Sequence, residues 1–313
     1  MHRLIRLFLP LLCLLCAGSG GAAEGLPAPR QVSPNAWAWI GPYDAPTRDN
    51  GGFRMNLGFV VGRDAVAVID SGYSPAMAAD MLRQIRKLTP LPVRHVINTN
   101  SQPHRFLGNE VFRAAGARIV AAREAAQRMA RDGAMFAAGA AAVLGTPAQA
   151  LPAAPDQLLA AGETTEFDLG GGVRVAVRHV GAAHTQGSLI AMVTPDRTVF
   201  AGDVLYGGRL LAILPDSSVK DWIAACLQLR GSNAAVVVPG HGQPGPLADF
   251  DQPTLAYLQR LKQHMDAAVK AGDDIEKAKN GFAAAAWASL ANFKELNGRN
   301  TYQAYQESEA EGF

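Results

Sequence analysis

The strongest constraint on this chain is a change of hydrophobic period that happens twice. Short apolar runs come first, at residues 37–40, 57–61 and 65–69, with Gly62, Arg63 and Asp64 turning between the last two. The period then lengthens: Met77, Met81, Leu82, Ile85 and Leu88 recur at helical spacing until Pro90 and Pro92 stop the helix. A buried strand at 93–97, a further helix and a strand at 118–121 complete the first half. The second half repeats the scheme, with strands at 173–179, 188–193 and 198–201, a helix at 219–229 and a buried strand at 234–238. Leu258, Leu261, Met265, Ala268 and Val269 then line one face of a closing helix. Strand-rich segments with returning helices, twice over, predict two sheets covered by helices.

Three connecting stretches are less regular. A Pro-rich leader over 26–34 precedes the first strand, and 147–155 reads as a loop. The Ala-rich stretch 124–144 has high helix propensity but carries Gly133 and Gly139, with Gly145 just beyond, and reads as one or two helices that pack or form a flap.

The amino terminus sets the compartment. Arg3 and Arg6 precede an apolar run over 7–16, and small residues follow at Gly21 and Ala23. This is the pattern of a secretory signal peptide over 1–23, with a mature chain starting at Glu24 in the periplasm. Lipid attachment at Cys16 is disfavoured by bulky Leu15. The apolar run is too short for a membrane span. Loss of Arg3 and Arg6 takes the 29 basic residues to 27, equal to the 27 acidic ones. No basic field remains to gather nucleic acid or acidic lipid. Cys13 and Cys16 leave with the leader, so Cys226 has no internal disulfide partner and reads as a buried small hydrophobe.

Chemistry-bearing residues concentrate where strands end. Asp70-Ser71-Gly72 ends one strand, and Asn98 to Arg105 ends the next. The loop Gly181 to Gly187 carries His184, and Gly202-Asp203 and Gly240-His241-Gly242 each end a buried strand. A sheet edge is where a scaffold presents a site on rigid supports. His184, Asp203 and His241 are spaced by 19 and 38 positions.

This ordered set, together with Asn50-Gly51-Gly52, Gly58 to Gly62, Val96 to Thr99, Phe106 to Asn109 and Asp221-Trp222, resembles the metallo-β-lactamase superfamily over nearly the whole mature chain. Within it, the chain looks most like the quinoprotein relay system zinc metallohydrolases. The resemblance implies one α/β domain over 24–313, a four-layer αβ/βα sandwich with a C-terminal helical segment from about 253. It also implies an exported hydrolase acting on a small molecule beside a periplasmic quinoprotein system. The family's first metal motif, H-x-H-x-D-H, falls on Asn100, Ser101, Gln102, Pro103, His104 and Arg105, so all four ligand positions are substituted. Position by position, His184, Asp203 and His241 survive as metal ligands, and His104 ligates only after a shift. Asn100 and Gln102 are poor zinc partners, and Arg105 cannot ligate because its guanidinium stays protonated. Asp70 matches the family's structural aspartate, and His179 falls in an outer shell. His95 reads as a satisfied core residue and His264 as a surface one.

Two readings stay open on the residues alone. Three ligands can hold one zinc ion with water in the fourth position, giving a metallohydrolase with at most one metal. Alternatively Arg105 pairs bidentately with Asp203 in place of the ion, giving an inactive binding or accessory protein whose cleft receives an anionic ligand at His104 and Arg105.

Overall fold

The computed structural model describes residues 25–147 and 151–312. The expected signal peptide, with Cys16 and the cleavage point after Ala23, lies outside the described residues. No helix among the described residues is long and apolar enough to cross a membrane.

The first half builds a seven-stranded sheet in sequence order: β1 (Arg30–Ser33), β2 (Ala36–Trp39), β3 (Leu57–Val61), β4 (Val66–Ile69), and, beyond helix α1 (Pro75–Leu88), β5 (Val93–Ile97). Two short helices, α2 (Pro103–Phe106) and α3 (Asn109–Ala114), lead to β6 (Arg118–Ala122), and helix α4 (Arg123–Leu144) leads to the edge strand β7 (Gln157–Leu159). Pairing is antiparallel from β1 to β4 and parallel from β4 to β7, because helices return the chain in the second part. The second half forms a five-stranded sheet from β8 (Thr164–Asp168), β9 (Arg174–Gly181), β10 (Ser188–Thr194), β11 (Thr198–Tyr206) and, after helix α5 (Val219–Arg230), β12 (Val236–His241). Helices α6 (Tyr257–Lys270), α7 (Ile275–Gly281) and α8 (Phe293–Glu311) close the chain.

The two sheets pack face to face. Phe59 and Val68 share one core with Val175, Val177, Ala191 and Phe200, and a Cβ at Gly58 would strike the Phe200 ring. Helices α1, α3 and α4 cover the outer face of the first sheet, contributing Met81, Phe112 and Ala125 to that core. A second core joins Ile190, Val199 and Val237 to Trp222 of α5 and to Leu258, Leu261 and Met265 of α6. The helix–sheet–sheet–helix order expected of an αβ/βα sandwich is therefore present.

Several elements differ from the sequence expectation. The Pro-rich leader contains β1, paired to β2 through Arg30 and Ala38. Helix α4 is one continuous element, since Gly133 is buried and Gly139 faces open space. In α1, Met77, Met81, Leu82 and Ile85 are buried as the period requires, but Leu88 lies 53 % exposed in the last turn. Helix α8 escaped the apolar pattern because much of its buried face is polar, with Asn300, Thr301 and Ser308. Cys226 is buried against the Val204 carbonyl, as a small hydrophobe should be.

Strand β11 bears on the site most directly. Rather than ending at 201, it runs on to Tyr206 with every residue buried, so Asp203 sits inside a strand. The register with β12 shifts around Gly202, whose φ is +50°. Such a bulge re-aims a side chain without breaking the sheet. Gly202 is required twice, since a Cβ there would also overlap Thr99. Strand β12 likewise starts later than expected, at Val236, and carries His241 as its last residue.

Candidate metal centre

The loop after β5 is built before any chemistry is placed on it. Asp70 takes a left-handed backbone, φ +62°, at the end of β4. Its carboxylate accepts from Thr99 N at 2.7 Å and Thr99 Oγ1 at 2.9 Å. The side-chain amides of Asn98 and Asn109 exchange hydrogen bonds, Asn98 Nδ2 also donates to the Arg105 carbonyl, and Ser71 Oγ donates to Asn109 Oδ1. Asn100 Oδ1 accepts from Gln102 N, and Pro103 opens α2 at its first turn, where a missing N–H costs nothing. These protein hydrogen bonds hold the loop, and Asp70 ties the end of β4 to Thr99.

Arg105 occupies the centre of this arrangement. It is fully buried. Nε donates to Asp203 Oδ2 at 3.0 Å and Nη2 to Asp203 Oδ1 at 2.6 Å, the two-pronged geometry that suits a carboxylate. Nη1 donates to Asp70 Oδ2 at 3.0 Å and to the Asn56 carbonyl at 2.8 Å, and Nη2 also reaches the Gly240 carbonyl at 3.2 Å. The five N–H groups of the guanidinium match these five bonds. Burial opposes the charge on Arg105, but Asp203 and Asp70 outweigh it and hold the guanidinium protonated well above its ordinary range. Burial likewise works against ionised Asp203, and Arg105 overrules it, keeping the carboxyl well below the usual carboxylate range. Asp70, with Thr99 and one guanidinium nitrogen as partners, is pushed up to about 6 by its burial. Gly240 is the clearance for this pair: a Cβ there would meet Asp203 Oδ1 at 2.3 Å.

The histidines surround Asp203 without bonding to it. His241 Nε2 is 3.4 Å from Oδ1 and His104 Nε2 is 3.6 Å from Oδ2, while Asn100 Nδ2 donates to Oδ2 at 2.8 Å. One potential ligand atom from each of His104, Asp203 and His241 lies within 4.8 Å of the others. His104 Nε2 and His241 Nδ1 are buried and lack a hydrogen-bond partner. Burial holds both rings neutral, His104 down to about 4 and His241 well below its ordinary value. His184 is also lowered by burial. It stands outside the trio: its Nδ1 bonds to the Ala212 carbonyl at 2.8 Å, and its ring packs edge-on against Trp222 and Tyr206. The Tyr206 ring continues the contact by stacking on His241 at 5.2 Å.

Other expected residues fall elsewhere. Gln102 is half-buried and supports α2 through its backbone carbonyl, which accepts from Arg105 N. His179 bonds to Glu124 Oε2 at 3.0 Å and accepts from Gly181 N, bracing β9 against α4. His95 is half-buried against Phe167 with a buried, unpartnered Nδ1, so it is not the satisfied core residue expected. His264 is not a free surface residue either, since its Nε2 meets the Ala278 carbonyl at 2.8 Å and its ring packs on Phe282.

A sequence model of the metallo-beta-lactamase superfamily matches residues 51–241, well over half of the chain. The chain belongs to the metallo-β-lactamase superfamily. The architecture agrees with solved structures of that fold. A metallo-beta-lactamase from Pontibacter korlensis superposes with a TM-score of 0.58 at 21% identity, over 74% of this chain and 98% of the other. One from Hirschia baltica superposes equally well at 16% identity, over 74% and 96%.

A two-zinc centre, as the superfamily's motif would build, does not fit the residues present. Both Asp203 oxygens already accept hydrogen bonds from the Arg105 guanidinium. A cation at about 4 Å from the guanidinium would meet roughly 4 kcal/mol of repulsion per unit charge at an effective dielectric near 20.

Two arginines that the sequence reading did not single out border this centre. Arg209, only 4 % exposed, lies with its guanidinium 5.9 Å from the Tyr206 ring. Arg54 lies three residues before β3 and is half-buried. The Nε of each is buried without a partner. The sequence signal for Arg209 was a cation directly after Gly207-Gly208, six residues beyond Asp203.

Proposed function

We propose that this chain is an exported metallo-β-lactamase-fold protein in which a buried arginine has replaced the metal centre, and that it works as a metal-independent ligand-binding or accessory protein. The observation that carries this is the Arg105 guanidinium, paired two-pronged to Asp203 and bonded a third time to Asp70. Arg105 supplies the positive charge that Asp203 needs. It cannot bind a hydroxide or lower the pKa of a bound water as a zinc ion does, so hydrolysis has no activated nucleophile at this point. All five N–H groups of Arg105 are engaged with protein groups, which weighs against the anion-receiving role considered for Arg105 from sequence.

Export to the periplasm rests on the leader sequence, with Arg3, Arg6 and the apolar run that follows. A place beside a quinoprotein oxidation system rests on the resemblance to the quinoprotein relay hydrolases. The specific observation favouring a second reading, one weakly held ion, is the trio His104, Asp203 and His241 with two unpartnered ring nitrogens. Elemental analysis of protein purified from the periplasm without a metal-binding tag separates the two. We expect less than a tenth of a zinc ion per chain, on the order set by an unfavourable site, and a melting temperature unmoved by chelator. One tightly held ion per chain would favour the second reading, and two would reject the proposal outright.

A further inference from the structure

Buried charges are ordinarily paired, because an isolated ion loses its hydration with no return. Arg105 follows this rule and its neighbours Arg54 and Arg209 do not. Among the described residues neither of their guanidinia has an ion pair or hydrogen bond, although the Nε of each is buried and Arg209 is almost wholly enclosed. Both arginines are placed by the same strand end. Asn56, two residues past Arg54, donates Nδ2 to the carbonyls of Pro239 and Gly242, and its backbone N–H donates to Gly240. Gly207, two residues before Arg209, donates its N–H to the His241 carbonyl at 2.9 Å. Residues 240–242 thus tie together the backbone segments that carry the two arginines, and the Arg209 guanidinium lies 5.9 Å from the Tyr206 ring, which stacks on His241. Arg209 acts on Arg54: the Arg54 guanidinium is lowered first by burial and next by Arg209. Glu295 and Asp203 act on Arg54 more weakly, and Asp203 is already committed to Arg105.

The same spot carries one hydroxyl donor, that of Tyr43. A Cβ at Gly208 would overlap the Tyr43 hydroxyl, so that phenol lies directly against the turn that bears Arg209. Tyr43 and Arg54 are half-buried, which leaves this side open to solvent. We propose that Arg54 and Arg209, with the Tyr43 hydroxyl, form a receiving site for a small doubly charged oxyanion of the phosphate type, held at the mouth of the arginine-filled centre. Two unbalanced guanidinia call for two negative charges, and a planar fork of N–H donors matches tetrahedral or carboxylate oxygens. The site deepens the ligand-binding reading above but does not depend on whether a metal is bound.

Thermal melting of the purified full-length mature protein against inorganic phosphate tests it, with acetate at equal ionic strength as the single-charge control. The wild type should melt at rising temperature as phosphate increases and respond little to acetate. Arg209→Gln and Arg54→Gln should each weaken phosphate affinity about tenfold or more, the usual scale for losing a charge-assisted bond. Neither should melt lower than wild type without phosphate, since an unpaired buried cation has been removed. Should Arg209→Gln fail to fold, the more exposed Arg54→Gln decides alone. An equal response to acetate, no response in the wild type, or an unchanged phosphate response in the variants would overturn the proposal. Zinc content, measured on the same samples, reports separately on the metal-free reading.

Discussion

At the scale of single residues, the centre turns on which groups keep their charge. Arg105 and Asp203 stay ionised because each is the other's answer to burial. Removing one partner from such a buried pair typically costs about 3–5 kcal/mol, since the remaining charge is left unpaired. The histidines behave oppositely, because burial holds His104, His184 and His241 neutral. A histidine whose folded pKa is lowered contributes stability that is present above about 6.5 and lost as pH falls towards the folded value. Asp70, raised to about 6, contributes in the reverse sense: its share is present below about 3.9 and is lost as pH rises through 6. Asp203 adds nothing in this window, because its loss begins only below about 3.9. Three histidines against one aspartate leave a net fall in stability between pH 7 and pH 5, with each proton worth up to about 1.4 kcal/mol per pH unit. Urea unfolding at the two pH values should show the midpoint moving down at pH 5. A midpoint that rises on acidification would contradict these assignments.

At the scale of elements, period was legible where one face was apolar and illegible where it was not. Strands β3, β4 and β5 and helix α1 were readable because Val, Ile, Leu and Met repeat at the spacing of the buried face. Helix α8 was not, because Asn300 bonds to Leu211 and Ile213 and buries polar atoms where the pattern wants apolar ones. The extension of β11 to Tyr206 was hidden by Gly202, which reads as a turn in one dimension and acts as a bulge in three. Spacing along the chain could not show that His184 Nδ1 bonds to the Ala212 carbonyl while His104 comes within reach of Asp203 and His241. Helix α4 supplies the test at this scale. Gly139 is exposed and lies within the helix, and a methyl group added there would meet nothing within 4 Å. Gly139→Ala should therefore stabilise the protein by up to about 1 kcal/mol, through backbone entropy alone. Chemical denaturation measures it, and a destabilised variant would mean that α4 needs the glycine for something other than packing.

At the scale of the whole molecule, the sandwich brings the loop after β5 against Asp203 of β11 and His241 of β12. Protein hydrogen bonds fasten the scaffold around it: Asp70 with Thr99, Asn98 with Asn109, and Asn56 across to Pro239 and Gly242. The fold should then tolerate a return of the motif. A variant with Asn100→His, Gln102→His, His104→Asp and Arg105→His restores every substituted position on this frame. Without metal it should be less stable than wild type, by the cost of leaving buried Asp203 and Asp70 without their guanidinium, about 3–5 kcal/mol. With zinc it should recover, because an ion that binds only the folded state adds about 2.7 kcal/mol at a hundredfold excess over Kd. Melting curves with zinc and with chelator should thus diverge for the variant and coincide for wild type. Arg105→His alone should raise zinc affinity more than Asn100→His alone, because only the first removes the fixed cation that Asp203 already holds. If Asn100→His proved the stronger single change, the obstacle to metal would be a missing ligand rather than the guanidinium, and the account of Arg105 as the metal's replacement would fail.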